Sequence, residues 1–198
     1  MTQARRIILV EDERVTLECL RGILAELGHQ VTTATSGRQM IELARTVRPE
    51  LIVADVMLPD IDGIDAAVEV NREREVPVLL ITGHHSDELL ARLNGSHIMG
   101  YLIKPVTPPE LQAAVELAVK RFDDYQRARQ EADRLKQVLE DRKLIERAKG
   151  SVMRRLRVDE EEAFRRLRKF ASERNVKLVD VARSVLAAEE VFREVDDV

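Results

Sequence analysis

Short apolar runs alternate with longer segments of helical periodicity over the first 119 residues. The alternation repeats five times, which is typical of strands that lie parallel in one sheet with helices on both of its faces. The runs lack a regular polar alternation, as expected when both faces of a sheet are buried. The predicted strands are IILV, QVTTA, LIVAD, VPVLLIT and MGYLIK, and the predicted helices are 14–27, 37–46, 63–72, 86–94 and one that starts near Pro108.

The second part of the chain has the composition of helices. Gly150 is the only glycine beyond Gly100, and Pro109 is the last proline. Three apolar stripes at three- and four-residue spacing predict amphipathic helices that bury one another. Asp159 and Asn175 have the positions of an N-cap and of a left-handed C-terminal turn. The stripes are Ile145, Ala148, Val152 and Leu156; Ala163, Phe164, Leu167, Phe170 and Ala171; and Leu178, Val181, Ala182, Val185 and Leu186.

A helical connection joins the two parts. Residues 108–147 carry apolar side chains at loose three- and four-residue spacing, interrupted at Arg129. This pattern is compatible with a coiled coil, and a solvated helical linker is the alternative. The predicted domains are therefore 1–120, a linker over 121–141, and 142–198.

Charge and cysteine content indicate a soluble, cytoplasmic protein. The net charge is −4, but residues 142–183 hold 14 basic and 7 acidic side chains between acidic flanks. Cys19 has no second cysteine to pair with, and we expect it to be packed within a helix rather than reactive. No apolar run approaches the roughly 18 residues needed to cross a bilayer, and we predict no membrane association.

Carboxylates follow two of the predicted strands. Asp55 ends the third strand, and Glu11 and Asp12 follow the first. In an open parallel sheet the functional crevice lies beyond the carboxyl ends of the strands, where the strand order reverses. If the first and third strands are neighbours, the three carboxylates converge and repel one another, which favours a bound cation. Hard oxygen ligands suit Mg²⁺ or Mn²⁺.

Two further strand ends complete a phosphoryl-binding set. Thr82 ends the fourth strand, and Lys104 ends the fifth. A metal ion, an ammonium and a hydroxyl around one carboxylate can hold a phosphoryl group, whose oxygens each need a positive or hydrogen-bonding partner. Asp55 would be the nucleophile. The alternative is that these residues simply end strands.

These motifs carry a resemblance to a known family. The runs VED, ADVMLPDIDG, ITG and KP make residues 6 to about 120 similar to the receiver domain of two-component response regulators, whose fold is flavodoxin-like and doubly wound. The resemblance implies that a sensor histidine kinase phosphorylates Asp55 and that Lys104 pairs with the phosphoryl group. It also implies Mg²⁺ held by Glu11, Asp12, Asp55 and the backbone carbonyl of Met57, and a switch pair of Thr82 and Tyr101. Glu11 stands where the family often has Asp.

The basic block indicates phosphate binding. Ala148, Gly150 and Ser151 offer a nearly bare helix surface, and glycine within a helix costs about 1 kcal/mol relative to alanine, so a close approach by another helix or by a ligand backbone is expected to compensate. Dense Arg and Lys side chains favour nucleic acid, although a solvated charged face is an alternative. Charge alone does not distinguish RNA from DNA.

A second resemblance covers residues 142 to about 190. They are similar to the ANTAR domain, a three-helix RNA-binding module of transcription antitermination regulators. The resemblance implies binding of RNA hairpins in nascent leader transcripts, so that a terminator fails to form. We expect Lys149, Arg154, Arg155 and Arg168 to contact RNA. Arg157 stands where a small turn residue is expected. The residues that carry the resemblance are Ala148, Lys149, Gly150, Met153, Ala163, Phe164, Leu167, Arg168, Ala171, Leu178, Val181 and Ala182.

Together these observations predict a phosphorylation switch that favours a homodimer able to grip two RNA hairpins. The alternatives are a helical output domain that docks a protein or DNA, and a phosphatase that uses Asp55 as its nucleophile. Phosphatases of that kind carry a second Asp two residues after the nucleophile, where this chain has Met57. We therefore predict a phosphoacceptor signalling protein rather than an enzyme.

Overall fold

The computed structural model describes residues 4–83 and 97–196, with side chains as far as residue 191. The chain divides into two compact units, Met1–Arg127 and Ala128–Val198. The helix predicted over 86–94 lies outside the described residues. Across the described parts of the chain, no helix is long and apolar enough to span a membrane.

The first unit contains a five-stranded parallel sheet. Its strand order is β2-β1-β3-β4-β5, and every neighbouring pair is parallel. This arrangement confirms the doubly wound sheet predicted from the alternation of apolar runs. The strands are β1 Arg6–Val10, β2 Gln30–Ala34, β3 Leu51–Asp55, β4 Val78–Thr82 and β5 Ile98–Ile103, and the helices are α1 Arg14–Glu26, α2 Gly37–Val47, α3 Gly63–Glu73 and α4 Pro108–Leu156, which continues into the second unit.

Each central strand contributes side chains to two apolar cores, one on each face of the sheet. Alternate residues of a strand point to opposite faces, and Ile52 and Ala54 of β3 pack in one apolar cluster. Leu51 and Val53 pack in the other. All five residues of β3 are buried, so the strand has no solvent-facing side on which polar residues could alternate.

Helix α1 shows that one sequence expectation is wrong. Leu17, Leu20 and Leu24 are its buried side chains, and they lie on one helical face. Cys19 falls between them in sequence but on another face, where it is exposed. It is therefore not packed as predicted.

The loop after β3 anchors the N-termini of two helices. Asp60 accepts hydrogen bonds from the backbone N–H groups of Gly37 and Arg38, at 2.8 and 3.0 Å, at the start of α2. Asp62 accepts one from Ile64 at 2.8 Å at the start of α3. Burial raises the pKa of Asp60, but hydrogen bonds from backbone amides outweigh this effect and lower the pKa to about 2.

Gly63 allows α3 to begin directly against the end of β3. A Cβ atom at this position would lie 2.0 Å from the carbonyl oxygen of Asp55, a distance that no side chain can occupy. The Gly63 N–H donates to the Val56 carbonyl at 2.9 Å. Helix α3 and the last residue of β3 are thus held in direct backbone contact.

The second unit contains the end of α4 with α5 Glu160–Arg174 and α6 Leu178–Asp196. Asp159 caps α5 by accepting a hydrogen bond from the Glu162 N–H at 2.8 Å, and Asn175 ends it in the left-handed conformation with φ 52°, as predicted. Arg157 also has a positive φ, 53°, which explains why a small residue was expected there. The buried core is Ala148, Ala163, Leu167, Ala171, Val179, Val181 and Ala182, flanked by Ile145, Val152, Leu178, Val185 and Leu186.

Three residues predicted to be in this core are exposed. Leu156 is 49% exposed, Phe164 36% and Phe170 45%. Helix α5 turns Ala163, Leu167 and Ala171 inward at four-residue spacing, so the two phenylalanines fall beside the buried face. The predicted stripe was therefore wider than the face that packs.

The middle of α4 is exposed on all sides. Every residue from 128 to 140 is exposed within the single chain, including Leu135, Val138 and Leu139. The end of the first unit at Arg127 lies within this helix. The domain limits 1–120, 121–141 and 142–198 remain predictions.

Replacing Asp60 by asparagine should destabilise the first unit in a pH-dependent way. The folded pKa of about 2 lies below the ordinary value of 3.8, so the charged carboxylate stabilises the fold above about pH 4 and loses this effect as the pH falls to about 2. We expect Asp60→Asn to lower the Tm by a few degrees at pH 7 and the difference to narrow between pH 4 and pH 2. Thermal melts followed by circular dichroism measure this, with Asp123→Asn on exposed α4 as the control. An equal Tm difference at all pH values would contradict the capping role.

Candidate functional site

Three carboxylates meet at the carboxyl edge of β1 and β3. The two strands pair in register with Val10 opposite Ala54, so Glu11 and Asp55 come next to each other. Ligand oxygens of Glu11, Asp12 and Asp55 all lie within 4.8 Å of one another. Glu11 is 1% exposed and Asp55 6%, whereas Asp12 is exposed. The cluster therefore has a buried floor and one side open to solvent.

Lys104 bridges the two buried carboxylates. Its Nζ lies 2.5 Å from Asp55 Oδ2 and 2.6 Å from Glu11 Oε2. The end of β5 positions it, because the Lys104 N–H donates to the Thr82 carbonyl at 2.8 Å. The ammonium is thus held between side chains from two neighbouring strands.

Burial and charge shift the pKa values of this group. Burial raises the pKa of Glu11, the hydrogen bond from Lys104 opposes the shift, and the Asp55 charge adds to it, so that the net pKa is raised. Burial lowers the pKa of Lys104, but its hydrogen bonds to Asp55 and Glu11 outweigh burial and raise the pKa overall. Lys104 therefore remains charged at neutral pH.

The donor set fits a divalent cation. Three carboxylates and one ammonium leave two negative charges in a site with little water on its buried side, and these charges repel. Carboxylate oxygens are hard ligands, and exposed Asp12 leaves room for water, as Mg²⁺ requires. Glu11, Asp12 and Asp55 are the residues that could hold such an ion.

Met57 fixes the orientation of Asp55. The Met57 N–H donates to Asp55 Oδ1 at 3.2 Å, while Lys104 takes Oδ2. Each carboxylate oxygen thus has one donor. The Met57 side chain is 70% exposed, and its backbone carbonyl remains a predicted metal ligand.

The predicted switch residues lie on β4 and β5. Thr82 ends β4 and is 3% exposed, next to the strand that carries Asp55. Tyr101 on β5 is partly buried and packs against the apolar cluster that contains Ile8 and Leu80. The structure thus places a hydroxyl beside the carboxylate edge and an aromatic ring against the sheet.

The residues expected to contact RNA have different surroundings in the second unit. Arg154 pairs with Glu189 at 2.8 Å, Arg155 is exposed, and Arg168 lies 5.8 Å from the ring centre of Phe164. Lys149 is only 8% exposed. Its Nζ contacts Glu146 at 2.6 Å and Glu160 at 2.7 Å, so its ammonium is paired with carboxylates. The RNA contact predicted for Lys149 stays a prediction.

Gly150 faces a groove rather than another helix. A Cβ atom there would meet only Arg154 Nη1, at 3.5 Å, an ordinary contact distance. The groove has a volume of about 690 Å³ and lies between α4 and α6. Three arginines, Arg147, Arg154 and Arg183, and three glutamates, Glu146, Glu189 and Glu190, line it. In the described part of the chain, no other helix closely approaches Gly150. Of the two expected reasons for this glycine, close approach by a ligand backbone therefore remains.

Family comparisons agree with this division of the chain. Residues 7–116 match the model of the response regulator receiver domain. Residues 133–186 match the model of the ANTAR domain. The carboxylate cluster falls within the first match, and the basic three-helix unit carries the second.

Individual relatives extend over one or both domains. The transcriptional regulatory protein PdtaR of Mycobacterium tuberculosis strain H37Rv is 36% identical over 183 residues, which are 92% of this chain and 89% of that protein. The transcriptional regulatory protein AfsQ1 of Streptomyces coelicolor is 35% identical over 116 residues, which are 58% of this chain and 51% of that protein.

Solved structures match the first unit. The signal receiver domain of a modulated diguanylate cyclase from Desulfovibrio desulfuricans G20 aligns with a TM-score of 0.57 and 28% identity, covering 61% of this chain and 98% of that one. A CheY-like receiver domain protein from Methanospirillum hungatei JF-1 shares the fold with a TM-score of 0.58 at 22% identity, covering 62% of this chain and 99% of that one. The chain therefore belongs to the response regulators, with an N-terminal receiver domain and a C-terminal ANTAR domain.

Proposed function

We propose that this response regulator accepts a phosphoryl group on Asp55 from a sensor histidine kinase and, once phosphorylated, binds RNA hairpins in nascent transcripts and prevents termination. The observation that carries the first part is the position of Asp55, whose two oxygens are separately oriented by Met57 and Lys104 beside two further carboxylates. A purely structural buried aspartate would need the two donors, but it would not need two further carboxylates beside it.

Phosphoryl transfer requires a nucleophile, charge neutralisation and a leaving group. An Asp55 carboxylate oxygen attacks the phosphorus of a phosphohistidine, the phosphorus–nitrogen bond breaks, and the imidazole leaves with the bonding electrons and takes up a proton. Glu11, Asp12, Asp55 and the Met57 carbonyl would hold Mg²⁺ or Mn²⁺, which neutralises charge on the phosphoryl oxygens. Lys104 is already hydrogen-bonded to Asp55 and shifts its contact to the new phosphoryl group.

Thr82 and Tyr101 carry the change away from Asp55. The Thr82 hydroxyl moves to the phosphoryl group, and the half-buried Tyr101 ring turns further inward into the space that the hydroxyl leaves. The surface that includes β5 then changes shape. Since a ligand can shift an equilibrium only through differential contacts, the new hydrogen bond of Thr82 supplies the difference between the two states.

Slow hydrolysis rather than enzymatic turnover is expected at this site. A phosphatase needs an acid and base group beside the nucleophile, and the position two residues after Asp55 holds Met57, which cannot transfer protons. A phosphatase assay with generic phosphate esters should therefore show little or no turnover.

The exposed part of α4 supports a homodimer. Ala132, Leu135 and Leu139 follow one another at three and four residues along a helix that is exposed on all sides. In a parallel pair with these residues at the seam, Glu131 of one copy lies near Lys136 of the other, an attractive pairing of opposite charges. Two ANTAR domains in one dimer can engage two hairpins, which raises the effective concentration for the second contact.

Basic surfaces of the ANTAR domain support RNA binding. The missing side chain of Gly150 leaves room for a phosphate backbone beside Arg147, Arg154 and Arg183, which share this groove with Glu146, Glu189 and Glu190. Arg155 and Arg168 add exposed positive charge. A DNA-binding or protein-docking output is the alternative, and competition between labelled hairpin RNA and duplex DNA separates the two nucleic acids.

Asp55→Asn should abolish phosphorylation. Incubation with a small-molecule phosphodonor and Mg²⁺ should add the mass of one phosphoryl group to the wild type and to Asp65→Asn, an exposed carboxylate variant outside the cluster. Intact-protein mass spectrometry measures this, and light scattering of the same samples should show a larger dimer fraction only in the phosphorylated proteins. Equal phosphorylation of Asp55→Asn would place the acceptor elsewhere.

A double variant, Arg154→Gln with Arg155→Gln, should weaken hairpin binding. Loss of two phosphate contacts is expected to lower the affinity by about tenfold or more at physiological salt and to reduce its salt dependence. The matched control removes two arginines from exposed α4, Arg127→Gln with Arg134→Gln. Gel shifts of phosphorylated protein on candidate leader RNAs measure the effect, and an equal loss in both pairs would indicate general charge attraction instead of a defined surface.

A further inference from the structure

Phe164 is an exposed aromatic side chain on a helix whose other exposed positions are largely charged. It is 36% exposed, although its neighbour Ala163 is fully buried. Two cations approach the ring, with Lys149 Nζ at 6.0 Å and Arg168 Cζ at 5.8 Å from its centre. An aromatic face that is exposed and bordered by cations has the properties of a binding surface.

Two carboxylates hold one of these cations in place. Lys149 Nζ contacts Glu146 at 2.6 Å and Glu160 at 2.7 Å, so the ammonium is neutralised and fixed beside the ring. The carboxylates themselves reach the surface, because the Glu146 and Glu160 side chains are 53% and 70% exposed. A phosphate group placed here would be repelled by both.

The ligand that fits is flat, uncharged and carries hydrogen-bond donors at its edge. An unpaired nucleobase has a π-face that stacks on aromatic rings and guanidinium planes. Its exocyclic amino group donates to carboxylates, as cytosine does to Glu or Asp. Arg168 is exposed, and its guanidinium can pivot to cover the second face of a base resting on Phe164.

We propose that Phe164 and Arg168 form a stacking site for an unpaired base of an RNA hairpin loop, with Glu146 and Glu160 as acceptors for its amino edge. This stacking site rests on the proposed RNA binding. It adds recognition of a loop base to the contacts with RNA phosphates. Arginines at the Gly150 groove contact phosphates of the RNA, whereas Phe164 selects for a loop base. Lys149 acts as a positioning residue that orders both carboxylates.

Phe170 provides a matched control on the same helix. It is 45% exposed and lies under a cation, with Arg174 Cζ at 4.6 Å from the ring centre. Its ring borders a mainly apolar groove together with Val152, Leu156 and Val185. None of the described residues that line this groove carries a carboxylate that could recognise the edge of a base.

The test uses full-length phosphorylated protein and a pool of hairpin RNAs with one fixed stem and a randomised loop. The wild type is expected to bind part of the pool, and Phe164→Leu to bind the selected hairpins roughly 5- to 150-fold more weakly, the range for loss of one stacked base. Phe164→Trp, which keeps an aromatic face, and Phe170→Leu should bind with near wild-type affinity. Circular dichroism checks that each variant is folded.

Abasic substitutions in the selected loop separate stacking from a structural role of Phe164. One loop position should lower wild-type affinity to the level of Phe164→Leu and should cause no further loss in that variant. Equal losses in both proteins at every loop position, or unchanged binding by Phe164→Leu, would overturn the stacking site while leaving RNA binding intact. Failure of the wild type to bind any hairpin of the pool would overturn the RNA-binding proposal as well.

Discussion

The Lys104 ammonium, shared between Asp55 at 2.5 Å and Glu11 at 2.6 Å, is the interaction on which the receiver domain depends. Two carboxylates this close and this buried would repel strongly without it. The sharing requires β1 and β3 to be neighbours and β5 to end at the same edge, which the strand order provides. Helix α3 begins directly against the end of β3, a contact that only glycine at position 63 permits. The order of the strands therefore brings the Lys104 ammonium and the two carboxylates together at one edge of the sheet.

A lysine between two carboxylates occurs again in the ANTAR domain, with a different outcome. Around Lys104 the two bridged acids are buried, and with exposed Asp12 three carboxylates surround one ammonium, so the cluster retains negative charge and suits a cation. Around Lys149 the lysine is buried, and the acids extend into solvent. There the ammonium orders two exposed acceptors beside Phe164. The carboxylates are buried around Lys104, whereas the lysine itself is buried at Lys149. This difference decides which ligand each cluster suits.

Periodicity and spacing predicted the sheet and the convergence of carboxylates, because parallel strands bring their carboxyl ends to one edge. Other features depend on contacts that spacing does not encode. Asp60 caps a helix that begins 23 residues earlier in the chain, and Lys149 meets Glu160 across the turn between two helices. An apolar stripe also defines a helical face only broadly, which is why Phe164 and Phe170 were predicted to be buried.

We propose that the carboxylate cluster binds a divalent cation at the site of phosphoryl transfer. Calorimetric titration with Mg²⁺ tests it directly, and Asp12→Asn is the informative variant because Asp12 is exposed and its replacement leaves the buried core in place. We expect one Mg²⁺ per chain for the wild type and an affinity at least about tenfold lower for Asp12→Asn, since one of three charged ligands is lost. An absence of Mg²⁺ binding by the wild type, or equal binding by both proteins, would contradict it.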